Sequence, residues 1–431
     1  MSPTFASLSV RNYRIWFLGG FVSNVGTWAG RVGQDWLVLT VLTPNSGSAL
    51  GIVTGLQFLP VLLLAPVGGA IADRYSQRTV LAITQTGLLL TSALLGVLAI
   101  TGQAQVWHAY AVALAQGFFT AVDNPTRQAF VAELVPSDQL PNAVGLNSAS
   151  FNSGRLIGPG LAGLVIAASG TGEALLLNSL SFAFVLVSLA LIRPADLLRA
   201  PRLTGRGGIR EGLVYVRHRP DLQLVMFLIF VLGTFGMNFQ ITTALMATQI
   251  FDKGAGEYGL LGSIMALGSL TAALMTARRR QPRLWIILAA LLGFVASTVL
   301  AALAPSYALF ALALVPVGLT ALTAMTTANT LVQTRIDPAM RGRVMALYMA
   351  IFIGGTPIGA PIIGWIGEQF GARWTILIGS IAVALSLVVA WRVLTKDDNV
   401  RVSLRTSPRP TLVIVRTPRD EATEPVPEAA R

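Results

Sequence analysis

Two charged residues, Arg31 and Asp35, interrupt an apolar stretch near the N-terminus. Isolated ions are costly inside apolar segments that cross a membrane, so they usually face a cavity or a partner. The two residues are four positions apart, and on a helix they would share a face and could pair. Arg155, in a later apolar stretch, could compete for the same carboxylate. We therefore predict that Asp35 carries a proton and changes partners, with a permanent structural ion pair as the alternative.

Neutral polar side chains recur at helical spacing in these stretches and in the second half of the chain. Asn24 and Trp28 share the face of Arg31, whereas the second half has threonines and amides and no charge in the interior of its apolar stretches, only Glu257 and Arg392 at their edges. Such stripes indicate a substrate cavity, although threonines can equally bond to the carbonyl groups of their own helix. The predicted cavity residues are Asn24, Trp28, Asn152, Asn238, Thr242, Thr323 and Thr327.

Long apolar stretches must position these residues, because 54% of the 431 residues are hydrophobic and only 12% are charged. A stretch of about twenty residues can cross a bilayer as a helix, and this composition excludes an ordinary soluble enzyme. We predict an all-α membrane protein with twelve transmembrane helices, arranged as two six-helix halves. The spans lie near residues 15–42, 49–72, 79–100, 107–123, 140–168, 174–192, 222–250, 257–277, 284–304, 306–333, 344–367 and 374–394.

The distribution of positive charge predicts the orientation of these helices. The 31 lysines and arginines exceed the 19 acids and give a net charge of +12. If both termini are cytoplasmic, 27 basic residues lie inside, Lys253 and Arg373 lie outside, and Arg31 and Arg155 lie within spans. The sequence therefore predicts a multi-pass protein of the bacterial inner membrane, and the charge needs no nucleic acid to account for it.

The sequence offers few ligands for metals or cofactors. Cysteine is absent, which excludes disulfides, iron–sulfur clusters and thiolate zinc sites. The two histidines, His108 and His218, lie near opposite membrane edges, and neither Lys253 nor Lys396 belongs to a phosphate-binding loop motif. We expect no cofactor, no metal and no catalytic residue, and hence no enzyme.

The charged connection from Arg193 to Asp221 divides the chain. We predict an N-terminal half (1–192), a cytoplasmic linker (193–221), a C-terminal half (222–395) and a disordered cytoplasmic tail (396–431). The tail is rich in Pro, Arg, Thr and Glu and has no apolar run of span length. Residues 209–216 could form an amphipathic helix on the membrane surface, or they could belong to a solvated basic linker.

Prolines reveal an internal repeat. Pro136 and Pro338 are 202 residues apart, and so are Pro159 and Pro361. Together with six spans on each side of the linker, this offset indicates two duplicated halves. Secondary transporters use that arrangement for alternating access around a site at the membrane midplane.

A motif follows the second span, in the run Gly68-Gly69-Ala70-Ile71-Ala72-Asp73-Arg74-Tyr75-Ser76-Gln77-Arg78. It resembles the loop signature of the major facilitator superfamily, with Ser76 and Gln77 as departures. The resemblance implies an inner gate formed by Gly69, Asp73, Arg74 and Arg78, to which we add Asp123 and Arg127 from the next inner loop. The alternative is that these charges only flank a span.

A second motif lies in the fifth span, with Gly154, Gly158, Pro159 and Gly163. Its spacing Gly158-x-Gly160-x-x-Gly163 matches a dinucleotide-binding fingerprint, but it follows no strand and lies in an apolar helix, so we reject that interpretation. The pattern resembles the antiporter signature of proton-linked exporters in the same superfamily. A packing face of small residues is the alternative.

Residues Gln34–Leu39 and Asp123–Pro136 resemble the bacterial branch that includes macrolide-efflux proteins and the enterobactin exporter, and the resemblance covers about residues 10–395. It implies the major facilitator fold and export of an amphipathic small molecule, such as a drug, macrolide or siderophore-like compound, in exchange for protons. The expected partners are the lipid bilayer, the substrate and protons, and we expect a monomer. The alternatives are an uptake or facilitative transporter and a transport-dead receptor or assembly factor.

Overall fold

The computed structural model describes residues 3–198, 209–277, 281–337, 340–396, 400–405 and 411–416. Within these ranges nearly all of the chain is helical. The helices are α1 (Arg11–Trp36), α2 (Gly47–Arg74), α3 (Gln77–Ile100), α4 (Val106–Leu134), α5 (Leu140–Ala168), α6 (Thr171–Leu191), α7 (Ile209–Arg217), α8 (Pro220–Val231), α9 (Phe239–Leu245), α10 (Ala255–Ala277), α11 (Leu284–Ala302), α12 (Tyr307–Arg335), α13 (Arg341–Gly354), α14 (Thr356–Phe370) and α15 (Ala372–Lys396).

In the part of the chain that the structure describes, nine helical segments are long and apolar enough to cross a membrane. Three further helices, α1, α4 and α5, have 26, 29 and 29 residues and carry more polar groups. The all-α membrane fold is thus confirmed. Twelve long segments result from these two sets, and the count of twelve membrane crossings stays a prediction.

The helices pack as two groups. In the first half, α1 packs on α5 and α6, α4 packs on α2 and α3, and α3 also packs on α6. In the second half, α12 packs on α10 and α11, and α11 packs on α15. The halves meet through two helix pairs, α2 with α14 and α5 with α10.

Two predicted spans are continuous in the sequence interpretation but broken in the structure. The segment 222–250 consists of α8 and α9 with π-helical turns at Leu232–Gly236 and Met246–Ile250. The segment 344–367 consists of α13 and α14, which join at Gly355. Close packing explains the breaks, because a Cβ on Gly359 would overlap the carbonyl oxygen of Thr234 in the first π-helical turn.

The fourth predicted span, 107–123, was too short. Helix α4 continues to Leu134 and contains Pro125, so Asp123 and Arg127 lie within a helix and not in a loop. A proline removes one helical hydrogen bond, yet a helix can continue through it when the following residues are well packed. Here Phe130, Val131 and Leu134 are buried in the core of the first half and hold that last part of α4.

Within the predicted tail the structure describes twelve residues as two strands. Strands β1 (Val400–Arg405) and β2 (Thr411–Arg416) form an antiparallel pair in which Val402 is opposite Ile414. The sequence of β1 alternates apolar and polar residues, which is the period of a strand. The rest of the predicted tail after Lys396 lies outside the described residues.

The linker contains helix α7, which packs on α13 of the second half. Glu211 forms an ion pair with Arg343, in which Glu211 Oε2 and Arg343 Nη1 are 2.5 Å apart. Val216 is buried in the core of the second half. Leu213 remains 55% exposed. Helix α7 therefore forms, as one of the two predicted alternatives had it, but part of its apolar face packs on the second half.

The two ends of the bundle differ in how the halves contact each other. We call the end with residues 74–77 and 134–140 the basic end, and the other end, with residues 42–47 and 250–255, the opposite end. Toward the basic end, a Cβ on Gly69 of α2 or on Gly145 of α5 would have no neighbour within 4 Å. Toward the opposite end, Gly47 of α2 and Gly163 of α5 contact the other half closely, so the close packing between halves is found at those positions and not at Gly69 or Gly145.

Candidate functional site

Asp35 lies at the contact between the two halves, near the opposite end of α1. Its side chain is buried, with 2% of the residue exposed. The hydroxyl of Tyr258, on α10 of the second half, donates a hydrogen bond to Asp35 Oδ2 at 3.3 Å. The Tyr258 ring stacks on Trp36, with ring centroids 5.5 Å apart and an angle of 20° between the planes. One carboxylate thus joins the two halves.

The two arginines that the sequence selected lie around one tryptophan. The Cζ atom of Arg31 is 4.9 Å from the ring centroid of Trp28, and that of Arg155 is 5.8 Å from the same point. The two Cζ atoms are therefore at most 10.7 Å apart. Among the described residues neither arginine has a carboxylate oxygen within 4.0 Å, so this conformation lacks the predicted ion pair with Asp35.

Arg155 also points toward the second half. It lines a small cavity with Met237, Phe239, Met265 and Met325. Methionine and phenylalanine side chains adapt to irregular apolar surfaces, and a guanidinium adds a fixed positive charge. At about 10 Å³ the cavity is no larger than one water molecule in this conformation, and it sets apolar side chains beside one positive charge.

The predicted polar cavity residues of the first half form hydrogen bonds near this position. Asn24 Nδ2 donates to Ser150 Oγ at 2.9 Å, which joins α1 to α5. Asn152 Nδ2 donates to the carbonyl of Ser148 on its own helix. Asn24 therefore supports the packing of the site, and Asn152 is bound locally.

In the second half, two predicted cavity residues have buried polar atoms without partners in the described structure. These atoms are Asn238 Oδ1 and Thr327 Oγ1. Thr242 and Thr323 are buried as well. Other threonines of the α12 stripe donate to carbonyl groups of their own helix, which is the alternative interpretation of that stripe; they are Thr320, Thr330 and Thr334.

The helix 5 motif packs α5 between α1 and α10. A Cβ on Gly154 would lie 2.8 Å from the backbone of Asn24, and one on Gly158 would lie 2.6 Å from Trp28 Cβ. Gly163 faces the backbone of Ala255 on α10 in the same way. Pro159 is buried, with its backbone against α10. These residues thus form a packing face, and their role in antiport stays a prediction.

Of the predicted inner-gate residues, Asp123 and Arg127 form an ion pair with each other, and within the described residues no ion pair links them to the others. Asp123 is buried inside the first half, where it pairs with Arg127 and accepts hydrogen bonds from Thr84 Oγ1 and Gln85 Nε2, both at 2.7 Å. Asp73 and Arg74 are exposed at the end of α2. Arg78 begins α3, and in the described part of the chain none of these three residues forms an ion pair.

A second contact between the halves lies at the opposite end. Glu368 of α14 accepts a hydrogen bond from Ser46 Oγ at 2.9 Å and another from the Ser48 backbone amide at 3.0 Å. Both donors belong to the N-terminus of α2, where a carboxylate is favoured by the helix dipole. Gln249 Nε2 donates to the Asn45 carbonyl nearby. These bonds close the opposite end.

Sequence reasoning missed Tyr258, Glu368 and the three methionines of the cavity. Tyr258 is 223 residues from Asp35 in the sequence, and that separation gave no sign of contact. A buried tyrosine usually needs a partner for its hydroxyl, and that rule was the available signal.

Comparison with known proteins gives one matching family model, described as "Transmembrane secretion effector", over residues 2–419. Similar proteins include the staphyloferrin A transporter of Staphylococcus aureus, 24% identical and covering 87% of this chain and 94% of that protein. Macrolide efflux protein A of Streptococcus pyogenes is 22% identical, with 81% and 89% covered. The enterobactin exporter EntS of Shigella boydii is 24% identical, with 83% and 85% covered.

A solved structure has the same fold. It is a bacterial homologue of the human lysosomal transporter Spinster, with a TM-score of 0.66, 15% identity, and coverage of 92% of this chain and 99% of that one. The predicted resemblance to the major facilitator superfamily and to its macrolide-efflux and enterobactin-exporter branch is thus confirmed.

Proposed function

We propose that this chain, which belongs to the transmembrane secretion effector family of major facilitator transporters, exports an amphipathic small molecule in exchange for protons. The relatives are transporters, and the chain is a multi-pass membrane protein of that kind. We further propose that it acts as a monomer in the bacterial inner membrane, with both termini in the cytoplasm.

The position of Asp35 carries the proposal. It is a buried carboxyl group that contacts the other half through a single side-chain hydrogen bond, from Tyr258. When the opposite end opens, α10 must move away from α1, and this bond must break. A carboxyl group whose partner depends on the conformation can couple proton binding to the conformational change.

The cycle then has two steps. With the basic end in the cytoplasm, the described conformation is open to the inside, and Asp35 is closed off from the outside by Tyr258 and Trp36. Opening of the opposite end releases substrate outward and lets Asp35 take a proton from that side. On return to the inward-open conformation the proton leaves, and the positive charge of Arg31, one helical turn from Asp35, favours the carboxylate that remains.

The charges around the cavity favour an anionic group on the substrate. Arg31 and Arg155 place two positive charges around Trp28, and among the described residues neither has a carboxylate oxygen within 4.0 Å. Apolar side chains such as Met237 and Met265 line the same region. We infer a substrate with an anionic group and an apolar part; staphyloferrin A and enterobactin are the compounds named for two of the relatives.

The test uses purified protein in proteoliposomes with an imposed pH gradient and a panel of labelled siderophores and drugs. We expect substrate-dependent proton movement in the wild type and none in Asp35→Asn, with substrate binding retained. Asp138→Asn is the control, because Asp138 is an exposed acid of the same half. Undiminished proton exchange in Asp35→Asn would exclude Asp35 as the proton carrier.

The same assay separates the alternatives. A proton gradient that drives accumulation on the side of the basic end would indicate uptake, and flux without proton movement would indicate facilitated diffusion. Absence of flux for every compound that binds would indicate a receptor or assembly factor.

A further inference from the structure

An open groove lies on the second half, away from the contact between halves. Helices α10 and α11 both pack on α12 but not closely on each other, so they leave a groove with α12 as its floor. Its volume is about 700 Å³, within the range of sites for small molecules. The walls include Met275 and Ile286, and the floor includes Leu319 and Thr320.

The groove faces the lipid. Leu274 on α10 and Leu292 on α11, beside its walls, are 61% and 64% exposed, as expected for residues in contact with acyl chains. The groove runs from Arg283 to Ala290, a distance of about 10 Å along α11. It therefore begins at the basic end of the bundle and reaches into the apolar region.

The equivalent position in the first half is filled. Helices α4 and α12 have 29 residues each, and the fourteenth residue is Phe119 in α4 and Thr320 in α12. A Cβ on Gly87 of α3 would overlap the Phe119 ring, so the ring of this α4 residue lies directly against α3. In the second half Gly293 faces only the small side chain of Thr320, at 3.0 Å from Cγ2. The groove exists because a threonine stands where the repeat has a phenylalanine.

The two ends of the groove differ in chemistry. The Thr320 hydroxyl donates to the carbonyl of Pro316 at 2.7 Å, so at this position the floor offers a methyl group, and Thr323, one of the predicted cavity residues, also lines the groove. At the basic end the groove is lined by Arg283, Gln281 and Trp285. Arginine pairs with phosphate, and tryptophan is typical of the membrane interface. In the sequence three more arginines directly precede Gln281.

We propose that this groove binds one anionic phospholipid, with its phosphate at Arg283 and Gln281 and an acyl chain along Ile286, Leu319 and Thr320. Basic pockets between membrane helices bind anionic headgroups in this way. The site is separate from Asp35 and the contact between halves, so it does not depend on the proposed transport.

Quenching of tryptophan fluorescence by brominated lipids tests this proposal. Full-length protein is reconstituted in phosphatidylcholine with increasing fractions of brominated phosphatidylglycerol or brominated phosphatidylcholine, and the difference between wild type and Trp285→Phe isolates the Trp285 signal. We expect saturable quenching of Trp285, with half-saturation at an about fivefold lower fraction of phosphatidylglycerol, which corresponds to about 1 kcal/mol for one arginine near the surface.

Three variants make the test specific to the groove. Thr320→Phe copies the filled first half and should abolish saturable quenching, whereas Thr330→Phe, at an exposed position of the same helix, should leave it unchanged. Arg283→Gln, at an exposed position, should remove the preference for phosphatidylglycerol. Equal quenching of the wild type by both lipids, or quenching of Thr320→Phe like that of the wild type, would overturn the proposal.

Discussion

Loss of the Tyr258 hydroxyl should shift the protein toward the conformation in which the opposite end is open. Tyr258→Phe removes the hydrogen bond to Asp35 and keeps the ring that stacks on Trp36. Hydrogen bonds to charged groups contribute about 1.5–3 kcal/mol, and the length of 3.3 Å puts this one at the lower limit. A change of about 1.4 kcal/mol is tenfold in the equilibrium, so an open population of about 1% would rise to about 10%.

The populations of the closed and open conformations can be measured from the distance between two spin labels by double electron–electron resonance. The chain has no cysteine, so Gln103→Cys and Leu303→Cys place one label on each half at exposed positions of the opposite end. A longer distance should gain population in Tyr258→Phe.

The matched control is Tyr307→Phe. The Tyr307 hydroxyl donates to the Glu257 carbonyl at 2.8 Å within the second half, so its loss should leave the distances as in the wild type. If Tyr258→Phe gave the same distance distribution as the wild type, the bond would not hold the opposite end closed, and the coupling role of the Asp35 contact would be refuted.

Two further predictions concern orientation and stability. Single cysteines at Ser46 and Thr171 should react with an impermeant thiol reagent added outside cells and one at Gly208 should not; the reverse pattern would overturn the proposed topology. Asp123→Ala should strongly lower the melting temperature in detergent, because it leaves the partly buried Arg127 without its carboxylate. Breaking a buried ion pair in this way lowers the free energy of unfolding by about 3–5 kcal/mol. Asp73→Ala should leave it nearly unchanged, because Asp73 is exposed and unpaired in the described structure, and equal effects of both would contradict this assignment.

The sequence alone predicted the kind of fold, because the bilayer imposes strong rules on composition. Backbone groups in lipid must bond within a helix, so apolar length indicates the spans. The fifth predicted span, 140–168, agrees with α5 (Leu140–Ala168), since a proline near its start and a glycine shortly after its end mark the limits. Burying an isolated charge in a membrane span is costly, and that rule likewise identified Arg31, Asp35 and Arg155 as candidate functional residues.

Local signals were weaker where packing decides the outcome. The predicted span 107–123 stopped before Pro125, but α4 continues beyond it and buries side chains such as Phe130. The predicted span 222–250 gave no sign of its two π-helical turns, because they depend on the fit of Thr234 against Gly359, 125 positions later in the chain.

The partners of the functional groups were decided by tertiary structure. Asp35 and Tyr258 are 223 residues apart, and their contact depends on how α1 meets α10 in one conformation of the two halves. The sequence supplied the carboxylate and the arginines, each expensive to bury alone. Which of these groups pair depends on the relative position of the two six-helix halves. No local spacing in the sequence encodes that position, because contacts between rigid halves can change while the helices themselves stay the same.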